Sequence, residues 1–361
     1  MSAEPTSSSP LYRTSRGSAY VGDSLAGMRE HLTDESVAAF IFSPPFALNH
    51  EKEYGNKPDN EYLDWFREFA VVMWDKLRSD GSLVIDLGGA WQKGLPVRSL
   101  YQFKLLIDLC EGLGDKNFCL AQEFYWYNPS KMPLPAQWVN VERSRVKDSV
   151  NVIWWLSKSD RPKANNRHVL RPYSKAMEKL LKRQTYNGGK RPSGTTVNPE
   201  SWKTRHKGAI PPNVHEAAFG PADARTDQDT LRENFLRVGG SESASRYHRA
   251  FKALETHYSD RPDALRERIR KHPARFPPQI PAFFIDFLTD PGDLVVDPFA
   301  GSNVTGQVAE QSDRAWASFE LHRYYLELSI ARFDSYFTGD FEWLSEPAPL
   351  LDELSSEQLP A

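Results

Sequence analysis

The residues with the clearest chemical potential are Ser43, Pro44, Pro45 and Phe46, which follow the apolar run Phe40–Phe42. The run predicts a buried strand, and the two prolines predict a stiff turn at its end. The Ser43 hydroxyl and the Pro44 carbonyl can accept hydrogen bonds from an amino group, and Phe46 offers a flat π face. The turn could therefore hold a planar heterocycle by an exocyclic amino group, although a strand end with a Pro-Pro breaker fits the pattern equally well.

A second chemical locus lies far downstream, where a predicted strand ends at Asp297 and the next predicted strand ends at Glu320. The loop between the first strand and the following helix contains Gly301, which lets a ligand approach the backbone and the helix N-terminus. Glu320, 19 positions later, can accept from ribose hydroxyls. Neither G-x-G-x-x-G nor G-x-x-x-x-G-K-[ST] is present, and the leading acid suits a positively charged nucleoside such as S-adenosylmethionine. Asp297 as a turn cap and Glu320 as a solvated acid are the alternatives.

Ser43-Pro-Pro-Phe46 followed by Asp297-Pro-Phe-x-Gly-Ser-x-x-Thr305 resembles the amino-methylating DNA methyltransferases, and the order of the two motifs resembles their circularly permuted β group. The resemblance covers about residues 20–158 and 272–336. It implies that Ser43, Pro44, Pro45 and Phe46 are catalytic and that a methyl group passes directly from S-adenosylmethionine to an amine of a base flipped out of duplex DNA. A leading serine resembles the cytosine-N4 subgroup, whereas aspartate or asparagine is typical of adenine-N6 enzymes.

The resemblance also implies a set of cofactor-binding residues: Asp23, His272, Phe276, Pro277, Asp297, Phe299, Gly301, Ser302, Thr305 and Glu320. Within it, residues 272–277 are similar to the segment that closes over the methionine end of the cofactor. Asp23 is equally well explained as the N-cap of the helix that follows it. Asn303 stands where many members have glycine. Trp126, Asn128 and Pro129 are candidate walls of the base pocket, although Trp126 suits core packing at least as well.

Strands and helices alternate at both ends of the chain, which predicts an α/β fold. The expected class is a Rossmann-like S-adenosylmethionine-dependent methyltransferase fold, circularly permuted, with an inserted target-recognition region. The predicted division is a disordered leader over residues 1–16, a catalytic part over 17–157, a DNA-binding insertion over 158–271, a cofactor-binding part over 272–338 and an acidic tail over 339–361. Within the catalytic part, we expect a helix from about Glu61 to Leu77 and a strand from Ser82 to Leu87.

Charge is strongly segregated along the chain. The formal net charge is −3, but residues 158–275 carry 26 Lys and Arg against 13 Asp and Glu, which leaves 19 against 35 elsewhere. A basic middle in an acidic chain predicts a surface for a polyanion, here double-stranded DNA. A solvated, loop-rich insertion is the alternative.

The composition bears on cellular location, metal binding and membrane association. Two cysteines, Cys110 and Cys119, provide neither a disulfide framework nor a four-cysteine zinc site, so we expect a reducing cytoplasm and no metal. There is no run of 18 apolar residues, so no membrane association is expected. The rival functions are adenine-N6 methylation, methylation of a protein side-chain amide, and DNA binding without catalysis. A cognate restriction endonuclease is a possible partner, and the chain could be a monomer or a homodimer.

Overall fold

The computed structural model of the chain describes residues 9–47, 57–129, 131–183, 189–194, 196–198, 204–216, 276–329 and 332–333. Along the chain, the strands are β1 (Tyr12–Arg13), β2 (Gly17–Val21), β3 (Val37–Phe42), β4 (Leu77–Leu87), β5 (Cys119–Tyr127), β6 (Val150–Ser157), β7 (Gly189–Lys190), β8 (Thr196–Val197), β9 (Val214–Glu216), β10 (Leu294–Asp297) and β11 (Ala315–Glu320).

Seven α-helices lie in the described part of the chain: α1 (Ser24–His31), α2 (Asp59–Lys76), α3 (Tyr101–Glu111), α4 (Lys175–Arg183), α5 (Gln279–Leu288), α6 (Val304–Gln311) and α7 (Arg323–Ser329). Short 3-10 turns cover Gly114–Lys116 and Asn166–Val169, and a π-helical turn covers Gln137–Val141. Among these helices, none has both the length and the apolar character that crossing a membrane requires.

A nine-stranded mixed sheet organises the described residues, in the order β1-β2-β11-β10-β3-β4-β6-β5-β9, with β7 and β8 forming a separate hairpin. Strands β2, β11, β10, β3 and β4 run parallel, and β6 is antiparallel to both of its neighbours. The chain leaves β10 towards β11 and leaves β3 towards β4, in opposite directions across the sheet. Ligands of open α/β sheets bind at such a switch point, beyond the carboxyl ends of the strands.

Helices cover both faces of the sheet, which explains why all six residues of β3 are buried. Phe40 and Phe42 pack in a cluster with residues of α2 and α3, whereas Ala39 and Ile41 pack in a second cluster with residues of α5 and α6. The alternation of side chains along a strand sends neighbouring residues to opposite clusters. The mixed α/β architecture predicted from the sequence is confirmed.

The structure differs from the predicted elements at two places. The leader of residues 1–16 was predicted to be disordered, but Tyr12–Arg13 pair with β2, and Leu11 and Tyr12 are buried, because this apolar pair interrupts the Ser- and Pro-rich composition. Strand β4 begins at Leu77 rather than at Ser82, with a register shift in its pairing with β3.

The predicted insertion of residues 158–271 is described in part. Val214–Glu216 extend the main sheet by pairing with β5, and the Asn165 N–H donates to the Phe287 carbonyl of α5 at 2.7 Å. The described part of this region therefore packs onto the main sheet. The predicted tail of residues 339–361 lies outside the described residues.

Candidate active site

The turn after β3 is held from beneath by two tyrosines. The Tyr62 hydroxyl of α2 donates to the Pro45 carbonyl at 2.7 Å, and the Tyr101 hydroxyl of α3 donates to the Gly88 carbonyl at the end of β4. Both tyrosine side chains are buried in the same aromatic cluster, with their rings packed edge to face. The turn is therefore rigid because of its prolines and because of the core beneath it.

Phe46 packs its ring against the backbone of the adjoining strand end. A Cβ atom at Gly88 would lie 2.5 Å from the Phe46 ring, so only glycine permits this approach. The ring is half-buried and contacts the cluster formed by α2 and α3. Phe46 therefore lies at the turn where the sequence predicts a π surface, held by the end of β4.

Ser43 lies beside a buried carboxylate that the sequence analysis did not identify. The Ser43 hydroxyl donates to Asp86 Oδ2 at 3.1 Å and lies 3.2 Å from the Asp86 carbonyl oxygen. The two residues come next in register after the paired residues Phe42 and Ile85 of the parallel strands β3 and β4. Because the serine proton points to Asp86, the lone pairs of Oγ remain available to accept a hydrogen bond.

Asp86 is enclosed by polar side chains from two further segments. Asn151 of β6 places Nδ2 3.5 Å from Asp86 Oδ2, and the Lys131 ammonium donates to Asn151 Oδ1 at 2.8 Å. Burial raises the pKa of Asp86 to about 7, against the opposing effects of Ser43, Asn151 and Lys131. The other carboxylate oxygen, Oδ1, is buried and has no hydrogen-bond partner among the described residues. The group can therefore exchange a proton near neutral pH and has an unused acceptor position.

The second locus is the loop between β10 and α6, directly across the switch point from Ser43. Asp297 Oδ1 accepts from the Phe299 N–H at 2.9 Å, and the Thr305 hydroxyl donates to the Ile41 carbonyl of β3 at 3.3 Å. Burial raises the pKa of Asp297 to about 7. These contacts bring the second predicted locus beside the strand that carries Ser43.

Glu320 closes the same loop from the end of β11. Its carboxylate accepts from the Gly301 N–H at 2.7 Å and from the His322 N–H at 2.9 Å. Gly301 has a φ of 51°, in the left-handed region that favours glycine. Burial raises the pKa of Glu320 to about 7. Glu320 therefore shapes the loop whose glycine the sequence singled out.

The other predicted cofactor residues surround this loop or support it. The Phe299 ring packs on Phe42 at a centroid distance of 5.5 Å, and Ser302 accepts two hydrogen bonds from Arg332. Asp23 is the N-cap of α1 and accepts from the Ala26 N–H at 2.8 Å, as its alternative explanation predicts.

The predicted residues also include a segment before α5 and the candidate walls of the base pocket. Pro277 is buried just before α5, and Phe276 packs against the cluster beneath that helix, but His272 lies outside the described residues. Of the candidate pocket walls, Trp126 is buried in the same cluster and so serves core packing. The Asn128 N–H donates to the Ser149 carbonyl at 2.8 Å, and the Pro129 carbonyl accepts from Lys147 at 2.9 Å.

The paired acids suit a ligand that is cationic and carries hydroxyl groups. Asp297 and Glu320 end neighbouring strands and are both buried, and the charge of Glu320 helps to raise the pKa of Asp297. A bound cation would relieve this repulsion, and either carboxylate can accept from hydroxyl groups. The loop also lacks the consecutive glycine amides that a pyrophosphate requires. The residues present therefore fit S-adenosylmethionine, with its sulfonium, ammonium and ribose, better than a dinucleotide.

Asn303 adopts the left-handed conformation that glycine usually supplies, with a φ of 51°. Its Oδ1 accepts from the Ser318 hydroxyl at 2.7 Å and from the Gly306 N–H at 3.1 Å, and its Nδ2 donates to the Tyr12 hydroxyl at 2.8 Å. The N-terminal strand therefore braces the loop between β10 and α6.

We expect Tyr12→Phe to weaken binding of S-adenosylmethionine by roughly 5–10-fold, because a buried amide N–H of Asn303 loses its partner and the loop between β10 and α6 is held less firmly. Calorimetric titration of the variant with the cofactor measures this change. The rate at saturating cofactor should stay close to that of the unaltered protein. Unchanged cofactor affinity would show that the brace does not control the loop.

Comparison with known proteins gives a consistent assignment. The chain is 44% identical over 326 residues to the type II methyltransferase M.PvuII of Proteus hauseri, which covers 90% of this chain and 85% of that protein. A solved structure described as PvuII DNA methyltransferase (cytosine-N4-specific) superposes with a TM-score of 0.62 at 38% identity, covering 90% of this chain and 88% of the other. The DNA adenine methyltransferase YhdJ of Escherichia coli (strain K12) is 36% identical over 70 residues, or 19% of this chain and 24% of that protein.

The family described as DNA methylase (N6_N4_Mtase) matches residues 37–331, which include Ser43, Asp86, Asp297 and Glu320. Both loci and the buried carboxylate between them therefore fall within one family match. The chain belongs to the DNA methylase family.

Proposed function

We propose that this protein is a site-specific DNA methyltransferase that transfers a methyl group from S-adenosylmethionine to N4 of a flipped-out cytosine in duplex DNA. One observation carries the proposal: the Ser43 hydroxyl is hydrogen-bonded to buried Asp86 at the switch point, beside the loop framed by Asp297 and Glu320. This places an acceptor for an amine next to a site suited to a cationic nucleoside.

The cofactor would be held by the loop that runs from Asp297 to Thr305 and by Glu320. S-adenosylmethionine supplies an electrophilic methyl group on a sulfonium. Glu320 can accept from the ribose hydroxyls, and Asp297 contributes negative charge beside the sulfonium or the ammonium. Phe276 and Pro277 flank the same part of the sheet in this proposal, and His272 would extend that wall.

The substrate amine is a poor nucleophile because its lone pair is delocalised into the ring. Acceptance of its N–H groups by Ser43 Oγ and the Pro44 carbonyl favours a more tetrahedral nitrogen, with its lone pair directed at the methyl group. Asp86 strengthens Ser43 as an acceptor by taking its proton in a hydrogen bond. The chain therefore contributes chiefly by positioning, which can supply much of the rate of an in-line transfer.

Methylation leaves the amine with one proton too many, and Asp86 can accept it. The Ser43 hydroxyl accepts from the amine and donates to Asp86 Oδ2 at 3.1 Å, so a proton can pass through this hydroxyl to the carboxylate, whose pKa of about 7 allows it to hold the proton near neutral pH. The proposed reaction is balanced: the N–C bond forms as the S–C bond breaks, the electron pair of the S–C bond stays on sulfur, and the proton of the amine passes to Asp86.

The target base must leave the duplex, since its amine is not accessible in the stack. We propose that Phe46 stacks on the extruded base, a contact worth on the order of 1–3 kcal/mol by analogy with single-strand binding. The contact of its ring with Gly88 fixes the ring for this role.

Cytosine is favoured over adenine by two observations. Ser43 leads the catalytic motif, as in the cytosine-N4 subgroup, and the long match is to a protein described as cytosine-N4-specific, whereas the adenine relative matches only 19% of the chain. Adenine-N6 methylation is the less favoured alternative. Methylation of a protein amide is disfavoured further by the basic insertion.

The wider biological assignments are part of the same proposal. The motif order supports the circularly permuted β group, with residues 158–271 as the target-recognition region. The type II relative supports a role in restriction–modification. A cognate endonuclease as partner, a cytoplasmic location and a monomeric or homodimeric state belong to the same proposal.

DNA affinity should fall steeply with salt, because Lys and Arg that neutralise phosphates release condensed counterions. The exposed cations of α4 are candidates for this role among the described residues. We expect Lys179→Gln with Lys182→Gln to reduce the slope of log affinity against log salt by roughly 2. Fluorescence anisotropy with a labelled duplex measures this slope. Lys104→Gln on α3, which replaces an exposed lysine outside the basic region, is the control and should leave the slope unchanged. If the α4 double variant changes the slope no more than this control does, α4 does not lie in the DNA interface.

The proposed activity is tested by incubating the protein with methyl-labelled cofactor and duplex DNA of mixed sequence. Label should enter the duplex at a defined set of sequences, which mapping of the modified positions would identify. Transfer of label to added protein but not to DNA would contradict the proposal, and so would the absence of transfer to either.

A further inference from the structure

A chain of polar contacts links the proposed methyl-transfer site to a half-buried lysine outside it. Lys131 lies in the loop between β5 and β6, and its ammonium donates to Asn151 Oδ1 at 2.8 Å. Asn151 is 8% exposed and presents Nδ2 to Asp86 Oδ2 at 3.5 Å, and Asp86 accepts from Ser43. The contacts cross the adjacent strands β3, β4 and β6 on one face of the sheet.

We propose that Lys131 is a positioning residue for methyl transfer: it orients the Asn151 amide so that its N–H group stays on Asp86 Oδ2 beside Ser43, and its positive charge favours the ionised form of Asp86. The inference rests on the proposed function of the site and deepens it.

The orientation follows from donor and acceptor chemistry. An ammonium can only donate, so the oxygen of Asn151 must face Lys131 and the amide N–H groups must face Asp86. Asp86 Oδ2 is then approached by the donors of Ser43 and Asn151, which holds the carboxylate beside the Ser43 hydroxyl. Without Lys131, the Asn151 amide could rotate and turn its oxygen towards the carboxylate, which would disfavour the ionised form.

The charges that face Asp86 support the second part of the proposal. Among the described residues, Lys131 is the cation whose charge lowers the pKa of Asp86, and the Tyr101 hydroxyl of α3 is the other titratable group that interacts with it. Asp148 and Arg98, themselves paired at 2.8 Å, act on Lys131 in opposite directions. Lys131 therefore adds a positive charge that opposes the effect of burial on the pKa of Asp86, together with the hydrogen bonds from Ser43 and Asn151.

A merely structural role for Lys131 in holding its loop is less well supported. The loop backbone is held by Lys147, whose ammonium donates to the Pro129 carbonyl at 2.9 Å and approaches the Lys131 carbonyl at 3.5 Å. Lys147 is thus a lysine that braces the same loop without touching Asn151 or Asp86 in any described contact. It provides a matched control for the loss of a lysine from this region.

The test is the pH dependence of kcat/KM for methylation of duplex DNA at saturating S-adenosylmethionine, whose positive charge should keep Asp297 and Glu320, with pKa values also about 7, ionised over the range measured. The unaltered protein should show an acid limb near pH 7, set by Asp86. We expect Lys131→Met to move this limb upward by about one pH unit, because an opposite charge is lost. Lys131→Arg, which keeps the charge and the donor, should restore it, and Lys147→Met should leave it in place.

If Lys131→Met does not fold, Asn151→Ala tests the same chain of contacts to Asp86. It should move the limb in the same direction, and a double variant should shift it by less than the sum of the two single changes, because part of the effect of Lys131 passes through Asn151. If Asp86→Asn abolishes the limb while Lys131→Met and Asn151→Ala leave it in place, the inference about Lys131 is wrong and the proposed function stands. If Asp86→Asn itself leaves the limb unchanged, the proposed role of Asp86 fails and the inference fails with it.

Discussion

Ser43→Ala is expected to lower the turnover number by roughly 100- to 1,000-fold, the range found when one oriented hydrogen-bonding group is removed from a reacting centre. The substitution removes the oxygen that accepts the substrate amine, and it removes the hydroxyl that donates to Asp86 Oδ2 at 3.1 Å. Because Ser43 is at the tip of β3 and the loop after β10 makes its own contacts, binding of S-adenosylmethionine should change little.

Single-turnover methylation of duplex DNA, together with calorimetric titration of the cofactor, separates these two effects. Ser36→Ala is a suitable control, since the Ser36 hydroxyl donates to the Thr33 carbonyl in the turn before β3 and does not approach Asp86 in any described contact. A Ser43→Ala variant that methylates at the normal rate would show that the turn after β3 is only a strand end.

Asp86→Asn is expected to lower turnover by about 100- to 10,000-fold, the usual range for loss of a general acid or base. The amide keeps the size of the carboxyl group and can still accept from Ser43, but it cannot take the proton that the methylated amine must lose. The acid limb near pH 7 should also disappear, because the group that titrates there is absent.

The same substitution should stabilise the folded protein above neutral pH. Burial raises the pKa of Asp86 from 3.8 to about 7, so the native state binds this proton more tightly than the unfolded chain and the free energy of unfolding falls as pH rises through that window. The full effect, reached above pH 7, is at most about 4 kcal/mol. Asparagine carries no charge at any pH, so this fall in the free energy of unfolding does not occur in the variant.

Chemical denaturation at pH 8 and at pH 5 tests the stability effect directly. The advantage of Asp86→Asn over the unaltered protein should be larger at pH 8 than at pH 5, where the carboxyl group is almost fully protonated in the native state. An Asp86→Asn variant that is less stable at pH 8, or that retains normal turnover, would contradict the role of Asp86 as a buried acceptor maintained for catalysis.

The sequence alone allows both loop loci to be predicted, because each signal is local. The apolar run before Ser43 ends at a Pro-Pro turn, and Asp297, Gly301 and Glu320 are spaced along one strand–helix–strand unit. The structure places the two loci together because β10 and β3 are neighbours in the sheet. Their adjacency depends on strand order, which the spacing of residues does not determine.

Asp86 and Asn151 could not be assigned to the site from the sequence for the same reason. Each lies in or beside an apolar strand, and they meet Ser43 only because β3, β4 and β6 are adjacent in register. The available signal was a carboxylate inside the apolar run Leu83–Leu87, a position where an unpaired charge is costly. Tyr12 was missed because its partner, Asn303, is 291 residues away along the chain.

The identity of the methylated base tests directly whether the protein methylates cytosine at N4. Duplex DNA modified by the protein is digested to nucleosides, and the products are separated and identified by mass spectrometry against authentic standards. If Ser43, Asp86 and the loop after β10 act as proposed, the product is N4-methylcytosine, and Ser43→Ala and Asp86→Asn both reduce its yield. Recovery of N6-methyladenine, or of 5-methylcytosine, in place of N4-methylcytosine would contradict the proposed reaction.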